Sequence, residues 1–179
     1  MYCKNALLTL IAVTAGCLSV LTESHAGENL LKNSNFSRQN QAWKVQMDNA
    51  LSKEGAEIYY KEKKIVFVIP ERKNNKEWYA QLAQLAEFNK DTVYRMLIDA
   101  ESSSSGTIVL SCKTTGKPVK NLGLWKPFKL NKGRHKYTIY FKLKELEENG
   151  TKGQLSLYLG KCVGKIVFFN ITLAESEKK

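Results

Sequence analysis

Three closely spaced apolar runs constrain the fold of this chain more than any other feature. They cover residues 78–84, 94–100 and 107–112, and a short polar connection and a serine-rich turn separate them. Apolar residues recur at about every second position within the runs, which is the period of a β-strand and not of a helix. The runs therefore predict three consecutive strands, each with one face for a core and one for a surface.

The same alternation recurs along the rest of the chain. We expect further strands over residues 43–47, 56–61, 65–69, 137–143, 154–161 and 166–173. Pro127 indicates an edge strand or an irregular segment over residues 125–130, because proline cannot donate a hydrogen bond to a sheet. About ten or eleven short strands, without an internal repeat or a convincing helix, predict an all-β fold, a β-sandwich of the jelly-roll type. This domain spans residues 27–174, and a charged tail follows at 175–179.

Burial habits and strand parity assign the first two tryptophans to the core. Trp43 lies in a strand whose apolar and polar residues alternate. Trp78 and Leu82 share one parity in the first of the three runs, and that parity is the apolar one. We therefore expect all three side chains to be buried.

The first 26 residues have the layout of a secretory signal peptide. Lys4 precedes an apolar run over residues 6–21, and Ser24 and Ala26 are the small residues before the predicted cleavage point. The run is shorter than the roughly 20 residues that a transmembrane helix needs. We expect a secreted or periplasmic protein. The alternative is a lipoprotein anchored through Cys17, because residues 13–17 resemble a lipobox.

The formal net charge is +11, and it is unchanged when residues 1–26 are removed. A basic surface of this size attracts polyanions, which for an exported protein are anionic glycans, envelope lipids or released nucleic acid. The alternative is the solvated surface of a basic secreted protein. Because the lysines form no single dense block, the charge alone does not select a partner, and we expect no specific nucleic-acid binding.

Two cysteines, Cys112 and Cys162, follow the predicted cleavage point. Export favours oxidation and an even count permits a disulfide between them, with two free buried thiols as the alternative. No metal site is predicted, since His135 is the single histidine after residue 26 and no Cys-x-x-Cys spacing occurs. Catalysis is not expected either, because glycoside hydrolysis needs two carboxylates across a cleft and aspartate is scarce in this sequence.

A series of landmarks spans nearly the whole chain after residue 26. They are Asn29-Leu30-Leu31-x-Asn33-x-x-Phe36, Trp43, Trp78-x-x-Gln81-Leu82-x-Gln84, the run 94–100, Tyr137-x-Ile139-x-Phe141, Leu155-x-Leu157-x-Leu159-Gly160 and the run 166–173. In this order they resemble the carbohydrate-binding modules of the CenC type, jelly-roll modules attached to cellulases and xylanases. The resemblance implies a galactose-binding-like β-sandwich that binds a polysaccharide along one concave sheet.

The resemblance also implies a structural calcium ion. Family members often hold it with a Glu after the first Phe and an Asp pair in the last strand. Ser37 and Phe169-Asn170 stand at those positions here. Because the hard carboxylate ligands are missing, the sequence argues against a cation at this place.

Sugar recognition by a sheet needs flat apolar surfaces and planar groups that hydrogen-bond neighbouring hydroxyls. Tyrosine supplies the first, and glutamine and arginine supply the second. Strand parity directs five such residues outward, and Trp125, beside Pro127, is either a platform at the rim or a plug in the core. The candidate ligand-binding residues are Tyr79, Gln81, Arg95, Tyr140, Tyr158 and Trp125.

We therefore expect a monomeric, non-catalytic module that binds a polysaccharide or glycan, anionic ones included, on one sheet face. The alternative is an envelope-associated β-sandwich that binds a protein and no sugar, since a fold does not fix its ligand.

Overall fold

Two five-stranded antiparallel sheets form the computed structural model, which describes residues 27–72 and 75–177. The predicted signal peptide, with Cys17, lies outside the described residues. None of the helices in the described part has the length and apolar character to cross a membrane.

The described residues contain ten strands, one short helix and one 3₁₀ turn. In chain order they are β1 Lys44–Met47, α1 Asn49–Lys53, β2 Glu57–Lys61, β3 Lys64–Ile69, the 3₁₀ turn Glu77–Tyr79, β4 Ala80–Phe88, β5 Val93–Ser102, β6 Gly106–Thr114, β7 Asn121–Leu130, β8 Gly133–Lys142, β9 Thr151–Tyr158 and β10 Gly164–Ser176. The last strand runs through Ser176, so the predicted charged tail begins within β10.

From β8 onward, strands that follow one another in the sequence lie in alternate sheets. Sheet A has the strand order β1-β4-β9-β6-β7, and sheet B has the order β2-β3-β10-β5-β8. The two sheets bury their apolar faces against each other, which confirms the predicted β-sandwich of the jelly-roll type. Strand β7, with Pro127, is an edge strand of sheet A, which is one of the two predicted alternatives.

The core contains the residues that strand parity assigned to it. The inner face of β5 consists of Tyr94, Met96, Ile98 and Ala100, and all four are buried. Tyr94 packs against rings from both sheets, since its centroid lies 5.1 Å from that of Phe88 in β4 and 5.7 Å from that of Phe141 in β8. Trp43 and Leu82 are buried as expected.

The expectation that Trp78 is buried in the core is wrong, because its side chain is 49% exposed. Strand alternation begins only at Ala80, and residues 77–79 form the 3₁₀ turn. The turn rotates the two aromatic residues relative to the strand parity, so Tyr79, and not Trp78, packs against the core. Gly160 fixes this turn, since a Cβ at that position would clash with the carbonyl oxygen of Lys76.

The predicted Cys112–Cys162 disulfide is also wrong, since both cysteines are free and buried. Cys112 lies near the C-terminal end of β6. Cys162 lies at the other end of this strand, where its Sγ donates a hydrogen bond to the carbonyl of Thr107 at 3.4 Å. Five residues of extended chain span roughly 17 Å, and a disulfide needs Cα atoms within about 7 Å. Burial raises the pKa of each thiol to about 12, so both are unreactive at neutral pH.

The N-terminal segment is held by side-chain amides. Gln84, buried in β4, accepts from the backbone N–H of Lys32 at 2.6 Å and donates to its carbonyl at 2.9 Å. Asn33 donates through Nδ2 to the carbonyls of Gln39 and Gln41, at 2.9 and 3.1 Å. Gln84 thus holds the segment against sheet A, and Asn33 closes the loop within the segment.

The residues present do not fit the calcium site that the resemblance implies. Ser37 and Asn170 offer no carboxylate, and the carbonyls of Gln39 and Gln41 already accept from Asn33. The Oδ1 of Asn170 is buried without a partner among the described residues. One amide oxygen is far short of the six to eight oxygen ligands that calcium takes.

Candidate functional site

The outward face of sheet A carries three rows of side chains that run across the strands. The register of the strands defines them. The first row is Gln46, Gln81, Tyr158, Val109 and Pro127. The middle row is Lys44, Ala83, Ser156, Ser111 and Trp125. The third row is Leu85, Gln154 and Lys113.

The centre of the middle row is made of small side chains. Ala83, Ser156 and Ser111 lie between longer residues of the first and third rows, and all three are buried although they point away from the core. Longer neighbours cover these side chains, and we call the surface along the middle row, from Lys44 at one end to Trp125 at the other, the trough. It crosses five strands, which is about 19 Å at a spacing of about 4.8 Å per strand.

Aromatic rings occupy one end of the trough. Trp125 is 49% exposed, and its ring centroid lies 5.7 Å from that of Tyr158 with a tilt of 50°. Tyr158 is buried beneath its neighbours, and the Nζ of Lys113 lies 5.6 Å from its ring centroid. Of the two alternatives for Trp125, the plug in the core is therefore wrong, because the indole is exposed on the edge strand and packs against Tyr158.

Amide groups line the sides of the trough. In the first row the Nε2 of Gln81 donates to the Oε1 of Gln46 at 2.7 Å. In the third row the Nε2 of Gln154 donates to the Oγ of Ser156 at 3.2 Å. Each amide has two donor hydrogens and an acceptor oxygen, so these single bonds leave donors and acceptors for a ligand.

Ser111 provides a polar group in the floor of the trough. Its hydroxyl is buried, and it has no hydrogen-bond partner among the described residues. An unsatisfied buried hydroxyl costs about 1–3 kcal/mol. A ligand hydroxyl that reached the floor beside Trp125 would satisfy this group.

The Lys44 end of the trough opens into a cavity of about 390 Å³. Ala83 and Gln154 form part of its wall, and the exposed side chain of Leu85 adds an apolar surface. The trough thus has an aromatic end, amide sides and an open end that carries a lysine.

The outward face of sheet B differs in that an arginine and an aspartate bind each other there, although Lys61 and Lys165 on the same face occur in none of the ion pairs of the described residues. Arg134 donates to both carboxylate oxygens of Asp99, at 3.0 and 2.8 Å, and these bonds lower the pKa of that carboxyl group. The guanidinium of Arg134 also covers Phe169, with Cζ 3.8 Å from the ring centroid. A cavity of about 290 Å³ adjoins this cluster, with Lys61 and Lys165 in its lining.

The structure brings together three of the six predicted ligand residues, namely Gln81, Tyr158 and Trp125. Arg95 and Tyr140 point outward as expected, but they are neighbours on adjacent strands of sheet B, on the opposite side of the molecule from the trough. Tyr79 is in the 3₁₀ turn and packs against the core. The sequence reasoning missed five residues of the trough face, Lys44, Gln46, Lys113, Ser111 and Gln154. Strand parity was a sufficient signal for Gln46 and Gln154.

Solved structures with a similar fold include several carbohydrate-binding modules. The second N-terminal cellulose-binding domain of Cellulomonas fimi β-1,4-glucanase C aligns with a TM-score of 0.65 and 13% identity, over 85% of this chain and 97% of that one. A structure described as CBM4 aligns with a TM-score of 0.64 and 15% identity, over 82% and 99% of the two chains. The fold expected from the CenC-type resemblance is confirmed.

A third similar structure is a putative sugar binding protein from Bacteroides thetaiotaomicron. It aligns with a TM-score of 0.60 and 15% identity, over 83% of this chain and all of that one. No protein-family model and no curated protein matches the sequence. At these identities the likeness establishes the fold, and the choice of ligand depends on the chemistry of the trough.

Proposed function

We propose that this protein is a non-catalytic module that binds a polysaccharide or glycan in the trough of sheet A. The observation that carries the proposal is the exposed indole of Trp125, supported by Tyr158, at one end of a trough with amide sides. The fold shared with solved carbohydrate-binding modules supports the same conclusion.

The trough offers the two kinds of contact that a sugar ring needs. The face of Trp125 can pack against the C–H face of a pyranose, which is apolar. The amides of Gln46, Gln81 and Gln154 can donate to and accept from the hydroxyl groups at the ring edge. A chain of several sugar units would lie across the strands, along the length of the trough.

A binding role fits this face better than hydrolysis does. Glu87 is the single carboxylate that points outward from the described strands of sheet A, and it lies near the end of β4, away from the trough. A glycosidase needs two carboxylates on either side of the scissile bond.

The proposal includes export of the protein as a monomer. Residues 1–26 would direct secretion or periplasmic localisation, and lipid attachment at Cys17 is the alternative route to the cell envelope. Amino-terminal sequencing of the exported protein distinguishes the two, since signal-peptide cleavage leaves Gly27 as the first residue.

The test compares two exposed aromatic residues on opposite faces. Trp125→Ala removes the platform of the trough, and Tyr59→Ala removes an exposed ring from sheet B. Calorimetric titration against a panel of neutral and acidic polysaccharides should give at least a tenfold weaker affinity for Trp125→Ala, as for aromatic residues that anchor other interfaces. Tyr59→Ala should bind like the wild type.

Two results would overturn the proposal. One is a folded wild-type protein that binds no polysaccharide of the panel. The other is an equal affinity of Trp125→Ala and the wild type, which would place any sugar site elsewhere.

A further inference from the structure

The charged residues on the trough face of sheet A are almost all positive. Four lysines point outward from its strands, against the single carboxylate of Glu87. They are Lys44, Lys113, Lys129 and Lys152. Among the described residues, five ion pairs occur, and none includes any of these lysines. Within that part of the chain their ammonium groups have no carboxylate partner.

Two of the four lysines flank the trough. Lys44 ends the middle row on β1, and Lys113 stands in the third row on β6. Three strand spacings separate β1 from β6, which is about 14 Å. The side chains of Ala83, Ser156 and Gln154 lie between them, so both ammonium groups can contact one ligand that occupies the trough.

The position of Lys113 ties it to the proposed sugar platform. Its Nζ lies 5.6 Å from the ring centroid of Tyr158, and that ring packs against Trp125. A cation over an aromatic face gains electrostatic attraction from the ring. This contact holds the ammonium group beside Trp125, where a substituent of a bound sugar would lie.

We infer that the polysaccharide of the trough is acidic, and that Lys44 and Lys113 each pair with a carboxylate or sulfate group of the sugar chain. The inference rests on the proposed function of the trough. A neutral glycan would use Trp125 and the amides and would leave both lysines without a partner. An acidic one adds two charge-assisted contacts at the two ends of the same trough.

Charge on the whole protein does not account for such contacts. Sheet B is basic as well, but Arg134 on its edge strand β8 is bound to Asp99, and Lys64 pairs with Glu62 at 3.6 Å. Lysines on both faces would attract a polyanion at low salt. At 150 mM salt, the screening length is about 8 Å, so the contacts that remain are those within the binding site.

The experiment measures affinity at 150 mM salt for three probes: polygalacturonate, dextran sulfate and neutral hydroxyethyl cellulose. The variant is Lys44→Gln with Lys113→Gln, and the control is Lys61→Gln with Lys165→Gln. The control pair lines the cavity on sheet B and removes the same total charge.

We expect the trough variant to bind an acidic probe at least tenfold more weakly, and the control variant to stay within about twofold of the wild type. Preference for polygalacturonate identifies carboxylate as the recognised group, and preference for dextran sulfate identifies sulfate.

Three outcomes would contradict the inference in distinguishable ways. Equal losses in both variants mean that the attraction is non-specific. Binding of hydroxyethyl cellulose alone, lost in Trp125→Ala, leaves the proposed function in place and refutes the acidic ligand. No binding of any probe by the wild type refutes the proposed function itself.

Discussion

The outward faces of the two sheets are both basic, but they use their charges differently. On sheet B the Arg134 guanidinium is held by Asp99 and covers Phe169, so both the cation and the ring are occupied by the protein itself. On sheet A the indole of Trp125 is half exposed, and Lys44 and Lys113 have no carboxylate partner among the described residues. The difference lies in which groups remain available to a ligand.

Available hydrogen-bonding groups follow the same division. Sheet A combines the amides of Gln46, Gln81 and Gln154 with a middle row of small residues, which longer neighbours cover. The cavity on sheet B is lined instead by valines, by the rings of Tyr59 and Phe169, and by long charged side chains, and none of the described residues that line it has an amide side chain. Net charge therefore does not distinguish the two faces, whereas the Arg134–Asp99 pair on sheet B and the small residues in the middle row of sheet A do.

The largest effect is expected from filling the trough. Ala83→Leu places a branched side chain on the floor between Lys44 and Ser156, and it should lower affinity for the polysaccharide at least tenfold, because about three additional heavy atoms block close approach. Titration of the purified variant measures this. Overpacking should cost about 1–3 kcal/mol of stability at such a site.

Ala174→Leu is the matched control for this substitution. Ala174 also points outward and is buried, but it lies on β10 of sheet B, opposite Arg95. It should lose a similar amount of stability and keep the affinity of the wild type. Loss of binding in both variants would mean that the substitutions act through stability and that the two faces do not differ as described.

Strand parity predicted which side chains point outward, but not on which sheet they lie. The alternation in β4, β5 and β9 correctly separates core from surface, as the burial of Leu82, Met96 and Leu157 confirms. Gln81 and Arg95 have the same outward parity. They lie on opposite faces of the molecule because the jelly-roll topology places β4 and β5 in different sheets, and a local pattern carries no information about that pairing.

The predictions for Trp78 and for the disulfide are also wrong, the first because of local backbone geometry and the second because of distance along a strand. Trp78 precedes the first extended residue of β4, so the period of two does not apply to it. The cysteines lie near strands, but a disulfide needs two specific Cα atoms within about 7 Å. Cys162 packs beside Gly106, at the opposite end of β6 from Cys112, and no spacing in the sequence reveals this.

A second prediction concerns the ion pair of sheet B. Asp99→Asn removes the carboxylate that binds Arg134, and it should lower the melting temperature at pH 7 by about 3 °C, as for a modest loss of stability in a domain of this size. The Lys44→Gln variant of sheet A breaks no ion pair, so its melting temperature should be unchanged. Thermal unfolding followed by circular dichroism checks both.

The stabilisation by the Asp99 carboxylate is expected to depend on pH. The hydrogen bonds from Arg134 hold the pKa of Asp99 below its ordinary value, so the folded state favours the ionised form. The stabilisation is complete above the unfolded-state pKa of about 3.9, and it is lost as the pH falls through the lower folded-state pKa. The difference between wild type and Asp99→Asn should therefore shrink from pH 5 toward pH 2. A difference that is constant over that range would mean that the carboxylate charge does not contribute.

The smallest effect is expected at the floor of the trough, where two serines differ in their hydrogen bonding. The hydroxyl of Ser156 accepts from Gln154, whereas that of Ser111, on the neighbouring strand in the same row, has no partner among the described residues. Ser111→Ala should therefore raise the free energy of unfolding by about 1 kcal/mol, because it removes a buried polar group that forms no bond. Ser156→Ala should lower it by a similar amount or less. Denaturant unfolding measures both.

The two serines also separate stability from binding. If Ser111 is kept for a sugar hydroxyl, Ser111→Ala should be more stable than the wild type and yet bind the polysaccharide severalfold more weakly, since the ligand then loses its partner in the floor. Such opposite changes are typical of groups retained for function at a cost in stability. A destabilised Ser111→Ala variant would mean instead that the folded protein already satisfies this hydroxyl, and the specificity of the trough would then depend on Trp125, the amides and the two lysines.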